Sequence, residues 1–135
     1  GIIQSCAARP TAVAAAARRM FARAHPPTAV LVTGDFELVI SLYTILPAIG
    51  LRIPRDVSVL VLGHSPLLDF LHPFPACYKF SWEQWASRIA RIIGNHARLG
   101  LWPTKFWKVI PTLREGDSVA NRRVEPCRES AVEAA

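Results

Sequence analysis

Residues 28–62 read TAVLVTGDFELVISLYTILPAIGLRIPRDVSVLVL, and this stretch decides the fold. Two short β-rich runs, Thr28–Thr33 and Val57–Leu62, enclose a segment whose apolar residues have helical spacing. Neither run alternates apolar with polar residues, which is typical of strands buried on both faces of a parallel sheet. The order strand, helix, strand predicts a right-handed parallel crossover. The sequence therefore predicts an α/β fold built on a parallel sheet.

The segment between the two strands carries the signals of an amphipathic helix. Asp35 is placed to cap its N-terminus, and Gly50 is placed to close its C-terminus. Pro47 is expected to kink or tighten the last turn, because proline has no N–H to donate. The residues expected to face the core are Val39, Leu42, Ile45, Leu46 and Ile49.

Further elements lie on both sides of this unit. An alanine-rich helix is predicted over Pro10–Ala24, and it ends where prolines follow His25. Downstream we expect a short helical turn over Leu67–Leu71 and a third strand over Cys77–Phe80. A last strand is expected over Lys105–Leu113, interrupted by Pro111.

The clearest helix of the chain runs from Ser81 to about Arg98. Ser81 and Gln84 have the spacing of a capping box, in which the first side chain caps the helix and the second reaches back. An apolar stripe follows at helical spacing, formed by Trp82, Trp85, Ala86, Ile89, Ile92 and Ile93.

Composition restricts the class of protein. The chain has 135 residues, of which 51% are hydrophobic and 19% charged, and this is typical of one globular domain. The longest uncharged apolar run, Leu38–Leu51, is shorter than the roughly 18–20 residues of a membrane helix. The sequence starts without Met, and we expect that it begins inside a longer gene.

Charge and cysteines point to a cytoplasmic protein without a direct nucleic-acid surface. The net charge is +6, but the arginines alternate with apolar residues or with Glu, as on solvated helix faces. The three cysteines form no C-x-x-C pair, and an odd number argues against a disulfide framework. We therefore expect reduced thiols and no membrane partner.

Polar residues follow each of the first two strands. Gly34-Asp35 comes after the first, and Gly63-His64-Ser65 comes after the second. The carboxyl ends of parallel strands lie at the same edge of a sheet, and this is where ligands bind in open α/β sheets. We therefore expect the two loops to face one pocket. The alternatives are that Asp35 is only a helix cap and His64 only a loop histidine.

An enzyme is the alternative class of function. Asp35, His64 and Ser65 contain the groups of a hydrolytic triad, but the G-x-S-x-G turn that usually presents the serine is missing. The remaining histidines are scattered, and no glycine-rich phosphate loop is present. We predict no catalytic residue, no metal site and no cofactor.

Three stretches resemble one protein family. Pro27–Asp35 (PTAVLVTGD) resembles the segment P-T-A-(apolar)-(N/D)-D, and Pro111–Ala120 (PTLREGDSVA) resembles the ending P-x-(apolar)-x-x-R-x-S-T-A. The most specific stretch is Gly50–Val59 (GLRIPRDVSV), which is similar to G-L-x-(V/I)-P-x-D-(V/I)-S-(V/I). From about Pro10 to Ala120, the chain resembles the C-terminal part of a LacI/GalR-type transcription regulator.

This resemblance implies a periplasmic-binding-protein-like (type I) sensor domain, normally two three-layer α/β lobes that hold a small ligand, usually a sugar, between them. Residues 1–119 would be the C-terminal lobe, with an incomplete first lobe and a polar tail over 120–135. Helix 81–98 would pack on the missing N-terminal lobe. Operator DNA would be bound only by a missing N-terminal helix-turn-helix, and the full-length protein would be a homodimer. A ligand-free dimerisation module is a further alternative.

The chain also departs from the family pattern at the site. Where the family has Gly-Phe/Tyr-Asp-Asp/Asn after the second strand, this chain has Val61-Leu62-Gly63-His64. Gly34 replaces the Asn that often precedes Asp35, and a polar ligand contact falls on Phe80. These changes remove acceptors that orient a polyol, so the pocket is expected to be less polar. The residues predicted to face the ligand are Gly34, Asp35, Gly63, His64, Ser65 and Phe80.

Overall fold

The computed structural model describes residues 2–100 and 108–121, which fold around a four-stranded sheet. A 3-10 turn at Pro66–Phe70 confirms the short helical element predicted there. The helices are α1 (Pro10–Phe21), α2 (Phe36–Ala48) and α3 (Trp82–Leu99), and the strands are β1 (Ala29–Thr33), β2 (Ser58–Leu62), β3 (Ala76–Lys79) and β4 (Thr112–Arg114).

The sheet is mixed and mostly parallel, which confirms the predicted fold class. Its strands lie in the order β1-β2-β3-β4. Strand β1 pairs in parallel with β2, and β2 pairs in parallel with β3, whereas β4 runs antiparallel to β3. In the first pair Ala29 lies opposite Ser58 and Thr33 opposite Leu62. The two strands therefore end at the same edge of the sheet.

The core lies between one face of the sheet and helices α1 and α2. Strand β2 contributes Val59 and Val61, which are buried together with Leu46 of α2 and Ala17 of α1. Burying one such aliphatic side chain stabilises the fold by about 1.5–3 kcal/mol. The prediction that Val39, Leu42 and Leu46 of α2 face the core is confirmed, since all three are buried.

The opposite face of the sheet is more open, and the prediction that Thr28–Thr33 is buried on both faces is wrong. Strand β1 lies at an edge of the described sheet, and its Leu31 is 56% exposed. The neighbouring Leu60 and Leu62 of β2 are only partly buried. Of the three predicted layers, residues 2–100 and 108–121 therefore show the sheet and one helical layer.

Two element boundaries also differ from the prediction. Helix α1 ends at Phe21 instead of Ala24, where the N–H of Ala22 donates to the carbonyl of Arg18. The last strand, β4, begins only at Thr112, because Pro111 has no N–H for a sheet hydrogen bond. Residues 108–111, which were predicted to be strand, are irregular, and residues 105–107 lie outside the described ranges.

Ser118, just beyond β4, is fully buried and ties the sheet together. Its hydroxyl donates to the carbonyl of Val59 at 2.5 Å and accepts the N–H of Ala76 at 2.8 Å. The backbone of Ser118 adds a hydrogen bond from the N–H of Val59. One side chain therefore satisfies buried backbone groups of both β2 and β3.

Helix α3 is capped at both ends. The Ser81 hydroxyl accepts the N–H of Gln84, as predicted, and Gly100 closes the other end in the left-handed region. Within the part of the chain that the structure describes, α3 buries no residue. Trp82 is 69% exposed, and Trp85, Ile89 and Ile93 of the same stripe are also exposed.

Cys6 and Cys77 are free thiols, and Cys127 lies outside the described residues. No helix within residues 2–100 and 108–121 is long and apolar enough to cross a bilayer.

Candidate ligand-binding site

The two loops that follow β1 and β2 border one cavity. It has a volume of about 430 Å³, which is within the usual range for small-molecule sites, roughly 300–1,000 Å³. The structure thus brings together the residues that the sequence places at the strand ends. All six predicted site residues line this cavity: Gly34, Asp35, Gly63, His64, Ser65 and Phe80. That they bind a ligand stays a prediction.

Each loop begins with a glycine because the backbone there adopts a positive φ. The φ angle is +117° at Gly34 and +128° at Gly63, a conformation that residues with a Cβ rarely adopt. A Cβ on Gly34 would also come within 3.1 Å of the Leu38 side chain. The N–H of Gly63 donates to the carbonyl of Tyr78, which fixes the second loop on β3.

Asp35 occupies the N-cap position of α2, as predicted, but it does not act as a cap. Among residues 2–100 and 108–121, its carboxylate makes no capping hydrogen bond to the helix. That Asp35 faces a ligand stays a prediction. A carboxylate near a helix N-terminus is stabilised by the helix dipole, and here it borders the cavity as an acceptor.

His64 takes part in a polar cluster that the sequence did not reveal. The Arg114 guanidinium lies 2.8 Å from His64 Nε2 and donates to Asp69 Oδ1 at 2.7 Å. Burial and the positive charges of Lys79 and Arg114 lower the pKa of His64, and the opposing effect of Asp69 is smaller. The hydrogen bond from Arg114 holds the pKa of Asp69 below its usual range. His64 is therefore a neutral imidazole at neutral pH.

Arg114 and Asp69 were missed because they come from distant parts of the chain. Arg114 is brought to His64 by the antiparallel pairing of β4 with β3, and it also stacks 4.3 Å from the ring centre of Phe74. Asp69 lies in the 3-10 turn. The sequence offers no motif that links these positions, because the contact depends on where β4 joins the sheet.

The rest of the cavity wall is apolar and rich in rings. Phe36, Val39 and Leu68 line it together with Phe80 and Trp82. Trp82 is the first residue of α3, so this helix begins at the site. Such a wall suits the apolar face of a ring-shaped ligand, whereas Asp35 and the loop at 63–65 add polar groups to the cavity lining.

The arrangement does not support a hydrolytic triad. The Ser65 hydroxyl accepts the N–H of Leu67 at 3.4 Å, as an N-cap of the 3-10 turn. His64 Nε2 contacts Arg114 and, at 3.7 Å, Asp69. A serine nucleophile needs a hydrogen bond to its base, and neither contact provides one. In the described ranges no group of three His, Cys, Asp or Glu residues could hold a metal ion.

Solved structures with a similar fold are LacI-type transcriptional regulators. A LacI family transcriptional regulator from Bifidobacterium animalis subsp. lactis DSM 10140 matches with a TM-score of 0.72 and 21% sequence identity. The match covers 82% of this chain and 40% of that chain. The chain has the fold of a LacI-type sensor domain. The part of the regulators with this fold is their C-terminal, periplasmic-binding-protein-like sensor part, as the sequence resemblance implied.

Two further LacI-type structures contain a sugar. The regulator from Arthrobacter sp. FB24, in complex with lactose, has a TM-score of 0.69 and 15% identity, with 85% of this chain and 44% of that chain covered. The regulator from Enterococcus faecium, with bound ribose, has a TM-score of 0.62 and 18% identity, with coverages of 82% and 40%. The chain thus spans about 40% of the length of the structures it matches.

No family model matches the sequence, and no curated protein matches it. The likeness to known proteins is therefore one of fold.

Proposed function

We propose that this chain is the effector-sensing part of a transcriptional regulator and that it has no catalytic activity. The observation that carries the proposal is the convergence of Gly34-Asp35 and Gly63-His64-Ser65 on one cavity of about 430 Å³. The fold supports it, because similar structures are LacI-type regulators, two of them with lactose or ribose bound.

The proposed effector is a small carbohydrate. The Asp35 carboxylate can accept hydrogen bonds from sugar hydroxyls, since in the described part of the chain it makes no capping bond to α2. The rings of Phe80 and Trp82 border the same cavity and suit the C–H face of a sugar. The site would thus combine one charged acceptor with an apolar wall.

In this proposal residues 1–119 are the C-terminal lobe of the sensor, and 120–135 are a polar tail. Helix α3 would pack on the first lobe, outside this chain. The apolar stripe of α3 supports this, because Trp82 and Trp85 lie with ring centres 6.1 Å apart on an exposed face. A contiguous exposed apolar surface of this kind is typical of an interface.

The full-length regulator would act in the cytoplasm as a homodimer and bind operator DNA through a helix-turn-helix outside this chain. Effector binding would change DNA affinity only if the effector prefers one of the two lobe arrangements. The free energy of coupling in such proteins is typically about 1–3 kcal/mol.

The test is a titration of the ¹⁵N-labelled chain with lactose, ribose, D-glucose and D-glucuronate, followed by NMR. At least one sugar should shift the amide signals of Gly34 and Gly63. Asp35→Asn should weaken that binding about tenfold or more, because a hydrogen bond to a charged group contributes about 1.5–3 kcal/mol.

Glu115→Gln is the matched control, because Glu115 is an exposed carboxylate that does not line the cavity. It should bind like the parent chain. The proposal would be contradicted if no sugar moved the two glycine signals or if Asp35→Asn bound unchanged. Dimers in light scattering without any response to sugars would favour the dimerisation module instead.

A further inference from the structure

The cluster of Arg114, His64 and Asp69 joins three elements at the rim of the cavity, and the proposed function leaves it unused. Arg114 comes from β4, Asp69 from the 3-10 turn and His64 from the loop after β2. Both hydrogen bonds of Arg114 are short, 2.8 Å to His64 and 2.7 Å to Asp69. The cluster therefore fixes the position of a side chain that lines the site.

The contact with Arg114 decides where the proton of His64 lies. A guanidinium group has N–H donors and no acceptor, so the Nε2 atom of His64 must accept its hydrogen bond. A neutral imidazole carries one proton, which must then be on Nδ1. The nitrogen that remains for a ligand is thus Nδ1–H, and it can only donate.

The neighbouring Ser65 can donate as well. Its oxygen accepts the N–H of Leu67, so its own hydroxyl proton is left to donate. Asp35, on the other loop, carries a carboxylate that accepts. The cavity therefore has donors at the loop 63–65 and an acceptor at the loop 34–35.

The charges around His64 add a preference for an anion. The charged groups that act on the ring are Lys79 on β3, Arg114 on β4 and Asp69 on the 3-10 turn, which are two cations and one acid. The two cations disfavour protonation of His64 more than Asp69 favours it. Two cations and one acid near the ring suit a negatively charged acceptor.

We propose that Arg114 is a positioning residue that holds His64 as an Nδ1–H donor, and that the cavity therefore selects a polyhydroxylated ligand with a carboxylate at the loop 63–65. This inference rests on the proposed function, because it assumes that the cavity binds the effector. It narrows the ligand from a sugar to a sugar acid. The hydroxyl groups of that ligand would be held by Asp35.

The first experiment reads the tautomer of His64 in the ligand-free chain. The chain is labelled with ¹⁵N-histidine, and the ring signals are assigned with His64→Gln and followed between pH 5 and 8. The parent chain should show Nδ1–H. In Arg114→Met the remaining charged partner of His64 within the cluster is Asp69, at 3.7 Å. The proton should then move to Nε2, and the pKa of His64 should rise.

Two variants serve as controls for this experiment. Arg114→Lys keeps a positive donor and should keep Nδ1–H, and it also decides the question if Arg114→Met does not fold by circular dichroism. Arg19→Met removes an exposed arginine of α1 and should leave the His64 signals unchanged. An Nε2–H tautomer in the parent chain, or in Arg114→Lys, would overturn the assignment of Arg114.

The second experiment compares D-glucuronate with D-glucose, which differ only in the carboxylate at C6. The parent chain should bind glucuronate at least about tenfold more tightly. In Arg114→Met at pH 8 this preference should disappear, because Nδ1 would then be an acceptor facing the carboxylate. Arg114→Lys and Arg19→Met should keep it.

The outcomes separate this inference from the proposed function. If glucose, lactose or ribose binds as tightly as glucuronate, the sugar-acid inference is wrong and the sensor function stands. If none of the sugars moves the signals of Gly34 and Gly63, the proposed function is wrong and the ligand inference fails with it.

Discussion

Helices α2 and α3 use their apolar residues in opposite ways. The 13-residue helix α2 buries Val39, Leu42, Tyr43 and Leu46 against the sheet. The 18-residue helix α3 has the clearer apolar stripe in its sequence, yet the structure describes no buried residue in it. Helical spacing thus predicts both helices, but it does not predict which of them is buried against the other described residues.

The difference implies that the two helices are stabilised by different interactions. Helix α2 depends on its packing in the core, whereas α3 depends on local interactions at its ends. At the N-terminus, Ser81 caps α3 and donates to Glu83. The hydrogen bond of the Glu83 carboxylate to its own backbone N–H, and then the one from Ser81, lower the pKa of that carboxyl group. We therefore expect the lobe and α3 to respond differently to the same kind of substitution.

The largest expected effect is the loss of a core side chain. Leu46→Ala should lower the free energy of unfolding by about 2–5 kcal/mol, because it leaves a cavity in a fully buried position. Ile89→Ala, the matched truncation on α3, should change it by less than about 0.5 kcal/mol. Urea denaturation followed by circular dichroism measures both. An equal decrease in the free energy of unfolding for both variants would show that α3 belongs to the core.

The next effect concerns buried hydroxyl groups. Ser118→Ala should cost about 1–3 kcal/mol, since it leaves the buried N–H of Ala76 without its side-chain partner. Ser87→Ala, on the exposed surface of α3, should have almost no effect. The same urea titration tests the pair. An unchanged free energy of unfolding in Ser118→Ala would contradict the role assigned to this residue in joining β2 and β3.

A smaller, local effect is expected at the cap of α3. Ser81→Ala removes the oxygen that accepts the N–H of Gln84, and such caps contribute about 1 kcal/mol to a helix. Hydrogen exchange should become faster along α3, while exchange in β2 and the urea midpoint of the lobe stay the same. A lower midpoint would mean that α3 is coupled to the sheet.

The smallest expected effect is a pH dependence of the free energy of unfolding of the lobe. The pKa of His64 is lowered in the folded state from its ordinary value of 6.5, so the unfolded chain binds this proton more readily. The free energy of unfolding should therefore decrease as pH falls below about 6.5. His64→Gln should remove this part of the slope, and α3 variants should keep it. A free energy of unfolding that increased when the pH was lowered from 7 to 5.5 would contradict the assignment of His64 as neutral.

The sequence predicted the elements that depend on local pattern. The unit of two strands and one helix over residues 28–62 follows from its apolar runs, and its parallel pairing brings Asp35 and His64 to one edge. What it did not predict depends on packing between distant segments. The exposure of the sheet face at Leu31 depends on which helical layers pack on the sheet. The contact of Arg114 with His64 depends on the pairing of β4 with β3.

Hydrogen exchange of the whole chain, resolved by mass spectrometry, tests most directly whether the lobe folds without a partner for α3. Amides of β2 and α2 should be protected by the full free energy of unfolding, and amides of α3 should exchange nearly as fast as those of an isolated helix. Protection of α3 equal to that of α2 would contradict this account, as would a sheet that exchanges as fast as α3.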